Sequence, residues 1–254
     1  MRKSLLGLAL CAPLACFAAG SVSVEANTVL RLPVKGDSLS LDRISVGPEG
    51  ALLIPSRVKE LKIGELDLAK NARIGVFPGN EALQIDVQHG HLADGSVIAA
   101  QGSSGSFEKP ASGGRNLVLR LQDVQVENLL IDVRGGVGAP GYDGLDGGSA
   151  QTSGCLWGSG KSAGDGQNGG NGQTGAAGGV VRLEVPERFD VATVKVRLEG
   201  GAGGAGGKPG KAGPRSSEKG CWFYSVAGEK PGAEGQGGAE GAKGSDGRLE
   251  VKRF

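Results

Sequence analysis

The chain has few aromatic residues and no excess of either charge. Aromatic residues make up only 4% of its 254 residues. Because aromatic side chains dominate compact cores, an elongated fold with a thin core fits this composition better than a large globular one. The 28 basic and 27 acidic residues nearly cancel. This balance gives no support for nucleic-acid binding or for polybasic attachment to a membrane.

Long apolar runs are also missing, except at the N-terminus. Two basic residues precede the apolar run 5–19, a pattern typical of an export signal. We place the signal at residues 1–26, with cleavage near Ala18 or Gly20 as the alternative. No other run is long enough to span a membrane. The pattern therefore predicts an exported protein of the periplasm, the cell surface or the extracellular space.

Cysteine is scarce, and the predicted mature chain keeps only Cys155 and Cys221. An exported protein meets an oxidising compartment, so an even pair of this kind predicts a disulfide. Cys16, inside the predicted signal, leaves an outer-membrane lipoprotein as an alternative.

From about Leu39 onward, the chain contains a repeat of about twenty residues. Each copy holds two short strands of alternating apolar residues separated by a turn. Such a period is typical of stacked coils, because one coil cannot bury its apolar face alone. We therefore predict a parallel β-solenoid, with a β-sandwich or an irregular β domain as alternatives. The copies are 39–58, 60–79, 83–102, 117–136, 180–201 and the incomplete 247–254.

The C-terminal half carries glycine at every third position in four blocks, here called glycine segments one to four. They cover 135–147, 166–178, 201–213 and 232–247. A helix with three residues per turn and glycine at every third residue has one face free of side chains. The blocks resemble collagen, but they are short and poor in proline. They also run outward and back within one chain, whereas collagen needs three parallel chains.

The pattern is more similar to polyglycine-II bundles, in which left-handed helices of one chain hydrogen-bond side by side. Such bundles occur in some phage tail-fibre adhesins, in a snow-flea antifreeze protein and in the glycine-rich domain of Obg-type GTPases. The motif GAGGAGG (201–207) clears two faces, which predicts neighbours on both sides of segment three. We thus expect an all-β fold with a solenoid body and an inserted polyglycine-II bundle. The predicted parts are a body at 27–134 and, within 135–254, two hairpins (135–179, 200–247) interleaved with solenoid strands (180–199, 248–254).

The two hairpins are an internal duplication, and the tip of each carries one cysteine beside aromatic residues. Exposed aromatic rings stack on sugars or insert into partners, which would make the tips a binding surface. Alternatively, the rings form a hydrophobic knot around the disulfide. The sequence favours the knot, although both can hold. The candidate residues are Trp157, Trp222, Phe223 and Tyr224, with Cys155 and Cys221 as the disulfide.

Evidence for catalysis, a metal or a cofactor is weak. His89 and His91 suit a metal, but no third ligand is suggested nearby, and a polar turn between strands is expected. The stretch 138–146 nearly matches a calcium-binding nonapeptide, including Asp143, but only one copy is present. No nucleophile stands with a base. We therefore expect no enzyme activity, no metal and no cofactor.

These features predict an exported structural or adhesion protein that presents its tips to a surface ligand, a glycan or a partner protein. The alternatives are a subunit of a cell-envelope assembly, an ice-binding protein and a polysaccharide-active β-helix enzyme. Charged residues on the glycine segments count against ice binding. The enzyme alternative has no support other than a similarity of fold. The sequence does not decide the oligomeric state.

Overall fold

The structure, a computed structural model, describes residues 20–34 and 36–254. Most of the predicted export signal, including Cys16, lies outside the described residues. Regular secondary structure within them is β-strand, apart from one short 3₁₀ helix at Val191–Thr193. The two large sheets are parallel throughout. The all-β class is therefore confirmed.

Successive strands alternate between a seven-stranded and a six-stranded sheet. The first sheet contains, in spatial order, β1 (Ser21–Val24), β3 (Ser38–Val46), β5 (Glu60–Leu68), β7 (Leu83–Leu92), β9 (Leu117–Val126), β11 (Val180–Val185) and β15 (Arg248–Arg253). The second contains β12 (Val194–Arg197), β10 (Leu129–Asp132), β8 (Ser96–Ala99), β6 (Arg73–Val76), β4 (Ala51–Ile54) and β2 (Val29–Arg31). Two short strands, β13 (Lys219–Gly220) and β14 (Ser225–Val226), form an antiparallel hairpin.

The strand pairing follows the sequence repeat. Leu83 of β7 lies opposite Leu117 of β9, the offset of 34 residues at which these two copies align in the sequence. Val180 of β11 lies opposite Arg248 of β15 across the longer insertion. Each copy therefore stacks on the preceding one, and β11 pairs with β15 at an offset of 68 residues.

The core is a single column of aliphatic side chains between the two sheets. In β5, Leu61 and Ile63 point inward, and then Leu66 and Leu68 do. The buried positions therefore change from odd to even residue numbers at Gly64. A Cβ at Gly64 would lie 2.7 Å from the carbonyl oxygen of Asp42. The pairing of β5 with β3 and with β7 is interrupted at this position, and the inward face of the strand changes there.

The first strand lies within the predicted export signal, at residues 21–24. β1 pairs with β3 in the first sheet, and its Val22 and Val24 are buried. Cleavage after Ala26 would remove this strand from the sheet. Cleavage near Ala18 or Gly20 would retain the strand, and the position of the cut stays a prediction.

The four glycine segments lie side by side and hydrogen-bond through their backbones. Segment one runs parallel to segment three, with Gly138 N–H donating to Ala202 O at 2.9 Å. Segment two runs antiparallel to segment three, with Gly207 N–H donating to Gly170 O at 2.9 Å. Similar bonds join segments one and two, two and four, and three and four, each repeating every third residue. Segments two and three therefore each contact the other three.

Close backbone packing explains why these positions hold glycine. A Cβ on Gly204 would overlap the Ala139 carbonyl in segment one, and a Cβ on Gly203 would overlap the Gly241 carbonyl in segment four. Segment three therefore has neighbours on both sides, as GAGGAGG predicted. The insertion 103–115 joins the same packing, since Gly105 N–H donates to Val137 O at 2.7 Å. The sequence had given this insertion no such role.

Aspartate and asparagine side chains add a second set of bonds between the segments. Each accepts a hydrogen bond from a backbone N–H of a neighbouring segment and thereby satisfies a donor that the glycine ladder leaves free. The pairs include Asn168 Oδ1 with Gln236 N–H at 2.7 Å and Asn171 Oδ1 with Ala239 N–H at 2.9 Å. In Asp246, hydrogen bonds from Lys243 and from Gly200 N–H lower the pKa of the carboxyl.

Candidate binding site at the disulfide-linked tips

Two loops, 149–163 and 214–231, form the tips of the glycine hairpins and lie against each other. Ala150 N–H donates to Pro214 O at 3.0 Å, and Thr152 Oγ1 donates to Ser217 O at 2.7 Å. Within the first tip, Gln151 and Lys161 form an antiparallel bridge. The two tips are therefore joined by several bonds besides the disulfide.

The predicted disulfide between Cys155 and Cys221 is present, with a Cα–Cα distance of 5.7 Å and a separation of 66 residues. Cys221 opens the turn of the β13–β14 hairpin, where its N–H donates to Tyr224 O at 2.7 Å. The Tyr224 hydroxyl donates to the carbonyl of Cys155 in the other tip. Tyr224 therefore helps to hold the tips together, as the knot hypothesis expected of all four aromatic residues.

The other three rings do not form a knot. Trp157, Trp222 and Phe223 are 88%, 93% and 89% exposed, whereas Tyr224 is 54% exposed. Leu156, which follows the first cysteine, is 86% exposed. The preference for a hydrophobic knot is therefore wrong for these rings. The disulfide and backbone bonds hold the tips together without them, which leaves the rings free in solvent.

The four exposed apolar side chains Leu156, Trp157, Trp222 and Phe223 are here called the apolar wedge. The Trp222 and Phe223 rings have centroids 5.3 Å apart and are tilted by 32°. Both follow directly on Cys221, while Leu156 and Trp157 follow Cys155. The side chain of Leu156 was missed by sequence reasoning, although its place after a cysteine, matching that of Trp222, could have revealed it.

The two tip loops carry a net positive charge. The two tip loops contain four basic and two acidic residues, a net charge of +2 in a chain that is otherwise balanced. The Glu229 carboxylate accepts a hydrogen bond from Ser162 Oγ of the other tip at 3.5 Å, and the Glu229 backbone N–H donates to Ser216 Oγ at 2.8 Å. The charged residues are Lys161, Arg215, Glu218, Lys219, Glu229 and Lys230.

The histidine pair lies in strand β7 and not in a polar turn, so that expectation was wrong. The turn follows the strand, at 93–95. His89 Nδ1 lies 3.3 Å from Asp123 Oδ2, and His91 Nε2 lies 3.3 Å from Glu127 Oε1. Among residues 20–34 and 36–254, no three acidic, histidine or cysteine side chains gather as a metal-binding group.

Asp143, the acidic residue of the calcium-like stretch, has a structural contact. Its Oδ1 accepts a hydrogen bond from Lys208 N–H at 2.7 Å, and Asp146 Oδ1 accepts one from Lys211 N–H at 2.7 Å. Both carboxylates thus belong to the ladder between segments one and three. Glycine spacing and carboxylates together explain the resemblance to a calcium nonapeptide.

Comparisons with protein-family models, with curated proteins and with solved structures give no match. None of the described residues belongs to a helix long and apolar enough to cross a membrane.

Proposed function

We propose that the body is a parallel β-solenoid and that the four glycine segments form a polyglycine-II bundle inserted into it. The alternation of strands between two parallel sheets supports the first part. The lateral hydrogen bonds at every third residue support the second. At about 3.1 Å per residue, a segment of roughly 15 residues would extend about 45 Å and carry the tips away from the body.

We further propose that the chain is an exported structural or adhesion protein that uses the tips to bind a ligand at the cell surface or envelope. The observation that carries this proposal is the near-complete exposure of Trp157, Trp222 and Phe223 on a covalently linked support. Exposed apolar groups reduce solubility and mark interaction sites when they cluster. The disulfide limits the conformations of the tips and so lowers the entropy lost on binding.

Binding of the full exported chain to isolated cell envelopes tests this proposal. We expect Trp157→Ala combined with Phe223→Ala to lower the bound fraction at least tenfold. The control is Phe107→Ala, because Phe107 is 69% exposed but lies in the insertion 103–115. Equal binding by the tip variant and the control would exclude the tips as the binding surface.

A further inference from the structure

We propose that the tip is a membrane-interface anchor: its apolar wedge inserts into the headgroup region of a lipid bilayer, with a preference for anionic lipid. The inference rests on the proposed function, because it names the ligand class of the same surface. It requires no membrane-spanning segment, since residues at the interface enter only the outermost part of the bilayer.

The shape and composition of the wedge favour lipid over sugar. The adjacent Trp222 and Phe223 rings are tilted by 32° against each other, so they do not form one continuous flat face for a sugar to cover. Leu156, next to Cys155 of the disulfide, is 86% exposed, and an aliphatic side chain adds apolar surface without any means of orienting a hydroxyl group. Tryptophan, phenylalanine and leucine at a protruding tip suit the interface of a bilayer, where aromatic side chains are enriched.

The charge of the tip loops is complementary to an anionic surface. Lys161, Arg215, Lys219 and Lys230 outnumber the two glutamates. Basic side chains close to a membrane surface gain attraction from anionic headgroups, and their apolar stems can cover the wedge while the charge stays in water. The apolar wedge thus inserts into the bilayer, and the basic residues of the tip loops favour membranes that contain anionic lipid.

The chain offers a site-specific probe, because Trp157 and Trp222 are its only tryptophans. Tryptophan emission of the oxidised full-length exported chain therefore reports the tips alone. We would titrate it with vesicles of phosphatidylcholine and with vesicles containing phosphatidylglycerol as well. Vesicles with brominated acyl chains would show insertion by quenching the emission.

The inference predicts a blue shift, quenching by brominated lipid and binding at least fivefold tighter on the anionic vesicles, weakened by salt. Phe223→Ala keeps both tryptophans and should lower the partition coefficient about tenfold, because burial of one large apolar side chain has that effect or more. Phe107→Ala should leave it unchanged. Circular dichroism and a thiol assay would verify that both variants are folded and oxidised.

Two results would overturn the inference. One is the absence of a vesicle-induced shift, and the other is vesicle binding that Phe223→Ala leaves unchanged. If the tips bind envelopes or a soluble glycan but not vesicles, the lipid assignment fails and the proposed function stands. If the tip variant binds envelopes as well as the control does, the proposed function fails as well.

Discussion

Replacement of Gly204 by alanine should destabilise the protein strongly, because this glycine lies at the centre of the bundle. Its N–H donates to Gln173 O at 2.8 Å, and its carbonyl accepts from Gly241 N–H at 2.9 Å. A new methyl group would overlap the Ala139 carbonyl. Since carbon and oxygen cannot approach so closely, segments one and three must separate by about 1 Å or more.

The expected loss in the free energy of unfolding follows from the hydrogen bonds that this separation strains. Gly138 N–H to Ala202 O (2.9 Å), Gly141 N–H to Ala205 O (2.8 Å) and Gln173 N–H to Ala139 O (2.8 Å) all lie beside the new methyl group. At about 1 kcal/mol each, their loss would cost roughly 3 kcal/mol. For a chain of this size, the melting temperature should fall by roughly 6–12 °C.

Gly237→Ala is the matched control, since Gly237 belongs to segment four and a Cβ there would have its nearest neighbours at 3.8 Å. This substitution should be neutral or stabilise by up to about 1 kcal/mol, because alanine restricts the unfolded chain. Thermal and urea unfolding of both oxidised variants, followed by circular dichroism, measures the difference. If Gly204→Ala were no less stable than Gly237→Ala, the close-packing explanation of the glycine pattern would be wrong.

Three further predictions concern other parts of the fold. Replacement of Cys155 and Cys221 by serine should cost up to about 4 kcal/mol, because the disulfide closes a long loop; equal urea midpoints with and without it would contradict this. Asn168→Ala leaves the Gln236 N–H without its acceptor and should cost about 1–2 kcal/mol and speed exchange of that amide, whereas Asn168→Asp should keep the protection. Burial raises the pKa of Asp132, but hydrogen bonds from its arginine and glutamine neighbours outweigh burial and lower the pKa overall. The resulting stability is present above about pH 4 and is lost as the pH falls through the lowered pKa, so Asp132→Asn should weaken this acid dependence in an unfolding series.

Periodicity predicted the all-β class and the stacking of successive copies, because a repeat in the sequence becomes a repeat of paired strands. The alternating apolar residues that place Leu83 opposite Leu117 are visible as two aligned copies. The glycine spacing and GAGGAGG likewise predicted neighbours on both sides of segment three. Glycine at every third residue leaves one face of the segment without side chains, and a neighbouring backbone can approach that face closely. The glycine spacing therefore predicts which faces of a segment pack against another segment.

The sequence did not predict features that depend on neighbours distant in the chain. Arg115 is almost fully buried, with hydrogen bonds to the carbonyls of Val58, Phe77 and Glu81 from earlier copies, and burial lowers its pKa. Nothing in the sequence near Arg115 indicates these acceptors. His89 was expected in a turn, because a polar stretch on the outer face of a strand resembles a loop.

The exposure of the aromatic residues at the tips could not be predicted from the sequence either. Trp157 and Trp222 could be located from the duplication, but their exposure depends on whether other bonds already hold the tips together. The disulfide and the hydrogen bond from Tyr224 to Cys155 do so. Rings that would otherwise have to form a core are therefore free to face solvent.

The most direct test of the account is acrylamide quenching of Trp157 and Trp222 in the oxidised chain, first alone and then with isolated cell envelopes. The account predicts strong quenching in the free protein, as for tryptophan in water, and protection once envelopes are added. A free protein whose tryptophans are already shielded would contradict the exposed wedge. Strong quenching that envelopes leave unchanged would contradict its role in binding.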